Sequence, residues 1–266
     1  MSGRYSRDKT DVNYLYFVYL AEQIKAEKGL TEAHDLHILD YGCGDGVIVE
    51  LLRDAGFDAY GVEVCYEGAN FDAFRAHELY HKGLLKEIVP DAALPFPDGF
   101  FDLIISNMVF EHVEEKPATF SRLERILKDD GTMQHHFPTR EILREGHMAA
   151  PFVHWLKPGR LQTFIAETTH RLGGGFFREG KTPQAWAKFQ LGWVDRYCFY
   201  IRSRDLRKLL ASDYTIQNRE MDYCLFRARN SRKLTLLLKI KPLHGLYQIL
   251  FNRLAFTVIR LRKKRL

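Results

Sequence analysis

A short apolar segment that ends in an acid and three regularly spaced glycines is the feature that most limits the fold of this chain. It reads Ile38-Leu39-Asp40-Tyr41-Gly42-Cys43-Gly44-Asp45-Gly46 and is followed by the apolar segment 47–52. Glycine has no Cβ and tolerates positive φ, so the chain can turn sharply there and leave its backbone open to a ligand. The pattern therefore predicts a strand, a tight loop and a helix, as at the start of an open α/β sheet.

A second acid indicates that this loop binds a nucleotide-like ligand. Glu63 ends another apolar stretch, 19 residues after Gly44, which is roughly where nucleotide-binding α/β folds place a carboxylate on ribose hydroxyls. The glycines follow the order D-x-G-x-G-x-G, whereas dinucleotide folds use G-x-G-x-x-G to hold a pyrophosphate. An acid in front of the loop favours a ligand that carries a cation and no phosphate there.

Two further segments give the chain a specific family resemblance. Residues 91–107 read D-A-A-L-P-F-P-D-G-F-F-D-L-I-I-S-N, and residues 109–113 read V-F-E-H-V. Together with the loop and Glu63, they resemble the motifs of class I S-adenosylmethionine (SAM)-dependent methyltransferases, in family order, and the longer block is similar to that of the type 11 subgroup. The resemblance covers about residues 35–137 and implies S-adenosyl-L-methionine as the cofactor.

The resemblance also implies which residues bind this cofactor. In chain order they are Asp40, Gly42, Cys43, Gly44, Gly46, Glu63, Val64, Asp91, Ala92 and Asn107. The first five would shape the loop at the amino-acid end of the cofactor, and the next two would lie at its ribose. The pair at 91–92 would contact adenine, and the asparagine would lie beside the methionine moiety.

Three residues are candidates for proton transfer in the catalytic step. Glu111 and His112 follow the predicted fourth strand, and His136 ends the predicted fifth strand. Methyl transfer to a hydroxyl requires removal of its proton, and a histidine with an ordinary pKa of about 6.5 suits that task near neutrality. His112 is the first candidate and His136 the second, although each can equally have a structural role.

A metal-assisted reaction is the alternative at this position. Related O-methyltransferases hold a divalent cation with an E-x-x-E-H segment, but the first of those positions is Met108 here. Magnesium sites depend on carboxylate oxygens, so the sequence predicts no metal.

Charge is distributed unevenly along the 266 residues, whose formal net charge is +5. The segment 227–266 contains 12 Lys and Arg and no Asp or Glu. Apolar residues recur within it at helical spacing, so it predicts a basic amphipathic helix that lies on an anionic membrane surface or on its own domain. The remainder of the chain is acidic, which disfavours nucleic acid as a partner.

The alternation of strand and helix patterns predicts a Rossmann-like open sheet of seven strands with helices on both faces. The sheet should be mostly parallel with an antiparallel last strand, and segments 214–218 and 223–227 are predicted as its last two strands. We predict an N-terminal helical segment (1–34), a SAM-binding core (35–137), a substrate cap insert (138–202), the last helix and strands (203–229), and a C-terminal helical extension (230–266).

These observations predict a SAM-dependent methyltransferase that O-methylates a sugar or a lipid-linked small-molecule acceptor. The segment Glu145-Gly146-His147 through Val153-His154-Trp155-Leu156 supports this acceptor, because it resembles methyltransferases of polysaccharide and glycolipid gene sets. A nicotinamide-dependent oxidoreductase and a non-catalytic, membrane-associated nucleotide-fold binding protein are the alternatives. Polar first residues and four dispersed cysteines predict a cytoplasmic protein. The basic C-terminal segment adds the expectation that it is peripheral to the inner face of a membrane.

Overall fold

The computed structural model of the protein describes residues 8–64, 71–89 and 92–264. One sheet runs through it, with the strand order β3-β2-β1-β4-β5-β7-β6. Its strands are β1 (His37–Tyr41), β2 (Asp58–Val64), β3 (Leu85–Ile88), β4 (Phe101–Asn107), β5 (Leu127–Phe137), β6 (Tyr214–Asn218) and β7 (Thr257–Lys263). The pairs among β1 to β5 are parallel, and β7 is antiparallel to both of its neighbours. The predicted fold class is confirmed.

Helices cover both faces of the sheet. They are α1 (Val12–Glu27), α2 (Val47–Asp54), α3 (Phe71–Arg75), α4 (Glu78–His81), α5 (Lys116–Ile126), α6 (Arg160–Arg171), α7 (Pro183–Tyr197), α8 (Ser203–Leu210), α9 (Glu220–Ala228), α10 (Arg232–Leu238) and α11 (His244–Leu254). Neighbouring strand residues point to opposite faces. Ile38 therefore joins the apolar core on the side of α1 and α2, while Leu39 joins the core on the side of α5 and α8. Among the described residues, no helix has the length and apolarity needed to cross a membrane.

The insert between β5 and α8 has a small core of its own. Met148, Val153 and Trp186 are buried in it, and α6 packs along α7. It follows the carboxyl end of β5, the edge of the sheet at which open α/β folds bind their ligands.

The last part of the chain differs from the prediction. Segment 223–227 is not a strand, because it lies within helix α9, where Tyr223 and Phe226 pack against the rings of α1. The seventh strand comes instead from the segment predicted as a helical extension, since Thr257–Lys263 inserts between β5 and β6. Helices α10 and α11 are thus an insertion before the last strand.

Part of the basic tail is satisfied inside the fold. Arg260 is 1% exposed and donates to Gln134 Oε1 at 3.0 Å and to Glu27 Oε1 at 3.1 Å. Arg262 also pairs with Glu27, and Lys263 donates to the carbonyl of Leu127. The acid that these arginines require is therefore supplied by α1 of the same chain.

Candidate functional site

The glycine loop makes a close turn at the carboxyl end of β1. The N–H groups of Gly42 and Cys43 both donate to the carbonyl of Val62, at 2.8 and 3.0 Å. Gly42 has a φ of +77°, and a Cβ there would lie 2.3 Å from Val109 Cγ2. Gly44 also has a positive φ, but a Cβ there would meet no atom within 4 Å. The loop is therefore packed at its base and open at its tip, with Gly46 at the start of α2.

Glu63 lies at the end of β2 and contacts this loop. Its Oε2 accepts from the Gly44 N–H at 2.6 Å, and its Oε1 accepts from the Val64 N–H at 2.9 Å. Burial raises the pKa of this carboxyl above its usual range, against the effect of these two hydrogen bonds. The structure thus brings the two predicted acids, Asp40 and Glu63, to one loop.

Asp40 is a buried carboxyl that has no hydrogen-bond partner among the described residues. The residue is 1% exposed, and neither Oδ1 nor Oδ2 has a hydrogen-bond partner among the described residues. Burial, and then the nearby charge of Glu63, raise its pKa to about 8. A buried unpaired acid is unfavourable unless a cation or a hydrogen-bond donor reaches it. Asp40 therefore fits the ammonium end of a ligand at this loop.

We expect Asp40→Asn to make the free protein more stable, and increasingly so as the pH rises. Folded Asp40 keeps a proton that the unfolded chain releases above about pH 4, so stability falls as pH rises toward 8. Between about pH 4 and 8, the difference in the free energy of unfolding between the Asp40→Asn variant and the unchanged protein should grow by up to about 1.4 kcal/mol per pH unit. Denaturant unfolding at several pH values measures it, with the exposed Asp72→Asn as a control. A difference that did not change with pH would contradict the assignment.

The remaining predicted cofactor residues occupy the same edge or lie outside the described part. Asn107 is partly buried at the end of β4, and Ala92 is exposed and donates its N–H to the carbonyl of Val89 at 3.2 Å. Asp91 lies outside the described residues. The loop before β4 contains the rest of this sequence block. It is held by Arg125, which donates to the carbonyls of Leu94 and Phe96 at 2.7 and 3.1 Å.

Glu111 lies on the 3-10 helix Phe110–His112, which follows β4. The residue before this helix, Val109, packs against Gly42 of the loop. Its carboxyl is 2% exposed, and Oε2 has no hydrogen-bond partner among the described residues. Its main-chain carbonyl accepts from the Phe199 N–H of the cap at 2.6 Å. Burial raises the pKa of its side chain to about 7. Glu111 is therefore a buried carboxyl whose pKa lies near neutral pH.

His112 belongs to a chain of polar contacts between this 3-10 helix and the cap. Its Nδ1 lies 2.7 Å from the carbonyl oxygen of Tyr197, and its Nε2 lies 3.2 Å from Nε2 of His147. His147 Nδ1 is in turn 2.7 Å from Glu145 Oε1. The hydroxyl of Tyr200 also donates to that oxygen, at 2.6 Å. The cluster joins the 3-10 helix to residues that are far from it in the chain.

The protonation of the cluster follows from its acceptors. Although burial opposes it, the hydrogen bond to Glu145 raises the pKa of His147, and the same bond holds the pKa of Glu145 well below its usual range. Burial, and then His147, lower the pKa of His112 to about 4. A charged His147 can donate from Nε2 to a neutral His112, whose Nδ1–H donates to Tyr197. Both nitrogens of His112 are then engaged.

His136 does not open onto the carboxyl edge, contrary to the prediction. It is 1% exposed, and its ring lies 4.8 Å from that of Phe17 and 5.3 Å from that of Tyr16. His135, on the opposite face, is also buried and its Nδ1 lies 2.8 Å from Ser106 Oγ. Burial lowers the pKa of each histidine to about 3. Their surroundings give both residues a packing role.

The cluster also contains donor atoms of the kind that bind transition metals. Three such atoms lie within 4.8 Å of one another: a ring nitrogen of His112, a ring nitrogen of His147 and the Sγ of Cys198. The Nδ1 atoms of both histidines face oxygen acceptors, the arrangement that orients histidine ligands. Sequence reasoning missed this grouping because Glu145, His147 and Cys198 are far from residue 112 in the chain, and the E-G-H triplet is the one local signal.

Comparisons with known proteins match this chain to methyltransferases. A family model described as a methyltransferase domain matches residues 16–212. The ubiquinone biosynthesis O-methyltransferase of Methylococcus capsulatus is 26% identical over 36% of this chain and 40% of its own length. The 2-methyl-6-phytyl-1,4-hydroquinone methyltransferase of Synechocystis sp. is 34% identical over 36% of this chain and 30% of its own length.

Solved structures match over more of the chain but at low identity. A S-adenosylmethionine dependent methyltransferase from Mesorhizobium loti is 16% identical and covers 92% of this chain and 98% of its own, with a TM-score of 0.48. The Haemonchus contortus phosphoethanolamine N-methyltransferase 2 is 14% identical and covers 98% and 59%, with a TM-score of 0.49. The chain spans less than half the length of the curated relatives it matches.

Proposed function

The chain belongs to the methyltransferase-domain family and is a class I SAM-dependent methyltransferase, and from this premise we propose that it O-methylates a sugar or a lipid-linked small-molecule acceptor. The observation that carries this proposal is that two features follow the carboxyl ends of parallel strands, one after β1 and one after β5. One is the glycine loop with its two acids. The other is the cap, whose polar cavity is lined by Phe199, the residue that donates its N–H to the main-chain carbonyl of Glu111.

The residues at the loop suit SAM. Asp40 would face the cationic amino-acid end, Glu63 would accept from the ribose hydroxyls, and the open tip at Gly44 leaves room for the ligand to approach the backbone. When bound, SAM supplies a methyl group already activated on a sulfonium. The protein's own task is then to align the acceptor oxygen with that methyl group and to remove its proton.

Glu111 suits the role of general base better than His112, although both were candidates. Both ring nitrogens of His112 are engaged with Tyr197 and His147. Glu111 retains an oxygen without a partner among the described residues and has a pKa of about 7, close to the optimum for a base at neutral pH. We therefore assign to Glu111 the removal of the proton from the acceptor's hydroxyl group. The contacts of His112 and His147 then hold the cap against the 3-10 helix.

A cavity in the cap suits a sugar-sized acceptor. It has a volume of about 250 Å³ and adjoins the Glu145–His147 cluster, since Cys198 and Tyr200 belong to both. Phe199, whose N–H donates to the main-chain carbonyl of Glu111, also lines it. Arg140 and Asp195 line the same space, and their side chains can form hydrogen bonds to hydroxyl groups.

Binding of SAM by the Glu63→Ala variant tests the cofactor site. We expect the affinity to fall at least about tenfold, because a hydrogen bond to a charged group contributes about 1.5–3 kcal/mol. Calorimetry with SAM and S-adenosylhomocysteine measures it, with the exposed Glu78→Ala as the matched control. Equal affinity in both variants would remove Glu63 from the site. A parallel titration with NADH should show no binding. Binding of NADH would favour the alternative, a nicotinamide-dependent oxidoreductase.

A further inference from the structure

An apolar and basic surface lies on the helical insertion before the last strand, which we call the hairpin (residues 229–256). Nine of the 17 large apolar side chains that are exposed among the described residues fall within 21 positions of it. They are Leu234, Leu236, Leu237, Ile240, Leu243, Leu246, Ile249, Leu250 and Leu254, each 37–72% exposed. This density distinguishes the hairpin from a surface with scattered apolar residues.

The hairpin is anchored to the body by a few contacts and leaves its apolar face uncovered. Phe251 and Phe256 pack against Tyr223, and Gln248 Nε2 donates to Glu220 Oε2 at 2.7 Å. Neither α10 nor α11 contains a buried residue. The leucines of both helices therefore contribute little to the core of this fold, although their number and size would suit burial.

Unpaired positive charge surrounds the apolar side chains. Arg232, Lys233, Lys239 and Lys241 are exposed, and none has an ion-pair partner among the residues that the structure describes. The tail arginines at 260 and 262, in contrast, are paired with Glu27. Within the C-terminal segment, the hairpin thus carries exposed cations beside exposed apolar side chains, whereas Arg260 and Arg262 are paired within the fold.

An anionic lipid surface matches both properties of the hairpin. Apolar side chains can enter the boundary between headgroups and acyl chains while lysine and arginine bind anionic headgroups. A second copy of this chain fits less well, because a symmetric contact would bring the same cations of both copies together. Nucleic acid would satisfy the charges and leave the leucines exposed.

The topology puts the hairpin at the edge of the sheet where the cofactor loop lies. Strand β7 pairs antiparallel with both β5 and β6, so the end of β6 and the start of β7 both lie at the carboxyl end of β5. The chain leaves that edge through α9 and returns to it through α11. The Leu143 N–H of the cap donates to the carbonyl of Arg253 at 2.8 Å, which joins the hairpin to the cap.

We propose that the hairpin docks the enzyme on an anionic bilayer and thereby presents the cap cavity to a lipid-linked acceptor. The docking itself depends on the described surface alone, whereas the reason for it rests on the proposed function. Of the segment 227–266, which the sequence indicated for this role, Arg260, Arg262 and Lys263 instead make contacts within the fold.

Flotation with vesicles of neutral lipid, with and without anionic lipid, tests the docking. We expect the full chain to float with anionic vesicles and to remain in solution with neutral ones. Leu236→Ser with Ile249→Ser, and separately Lys239→Glu with Lys241→Glu, should each weaken the binding at least about tenfold. Leu172→Ser and Lys208→Glu are matched controls, because they change an exposed leucine and an exposed lysine outside the hairpin.

Three results would overturn the proposal. They are no flotation of the unchanged protein, equal flotation of the hairpin variants, and a dimer in sedimentation analysis that the hairpin variants abolish without any vesicle binding. SAM calorimetry on the same samples separates this proposal from the proposed function. Intact SAM binding with no flotation would refute the docking alone, and flotation without SAM binding would refute the function alone.

Discussion

Replacing Glu111 with glutamine is expected to lower turnover about 10²- to 10⁴-fold, the range that loss of a general base produces. The substitution keeps the shape of the side chain and removes its capacity to take up the acceptor's proton. Val109 packs against Gly42 of the glycine loop, whereas Glu111 is bonded to Phe199 of the cap. We therefore expect the affinity for SAM to change little. Rates measured at saturating SAM, together with calorimetry of SAM binding, separate these two effects.

The pH profile identifies the same residue. Burial raises the pKa of Glu111 to about 7, so the reactive carboxylate form increases as pH rises through neutrality. The rate of the unchanged enzyme should therefore rise between about pH 6 and 8 and then level off, and the residual rate of the Glu111→Gln variant should lack that rise. The exposed Glu114→Gln is the matched control. Full turnover in the Glu111→Gln variant would return the base role to His112.

Shortening Leu261 to alanine is expected to lower the free energy of unfolding by about 2–5 kcal/mol, as for other fully buried leucines. Leu261 is fully buried in the core on the side of α5 and α8, from the seventh strand. Leu250→Ala is its control, since that leucine is 47% exposed on α11, and a change within about 0.5 kcal/mol is expected. Denaturant unfolding measures both.

Truncation before the last strand should have a still larger effect. Removing residues 257–266 deletes the strand between β5 and β6 and leaves Glu27 without the arginines that it pairs with. We expect that protein to lose cooperative unfolding and native circular dichroism. If residues 230–266 were a separable extension, the truncated chain would unfold with its stability unchanged, and the strand order β5-β7-β6 would be wrong.

The first half of the molecule could be predicted because its signals are local. The strand that ends at Tyr41, the turn that requires Gly42, and the carboxylate at Glu63 follow one another at fixed spacing along the chain. Their meeting in space is then fixed by parallel pairing, which brings successive strand ends to one edge. The glycine turn and the parallel pairing of strands 1 to 5 followed from this pattern, whereas the strand order came from the structure.

The end of the chain could not be predicted in this way. A short apolar run such as 223–227 fits a strand or a helix equally, and its type is settled by what it packs against, here the rings of α1. Residues 257–263 alternate in the period of a strand, but their partners Leu127–Phe137 and Tyr214–Asn218 are distant in sequence. Arg260 looks like a solvated charge until Glu27 and Gln134 are brought to it.

The sequence by itself determined the α/β class, the glycine loop and the family, because backbone turns and strand periods depend on neighbouring residues. Only the tertiary structure decided that Glu145 and His147 reach His112, that His136 is in the core, and that Arg260 and Arg262 pair with Glu27. Those outcomes depend on which distant segments bury one another. Burial also sets the pKa values of Asp40 and Glu111, which the same carboxyl groups would not have in an unfolded chain.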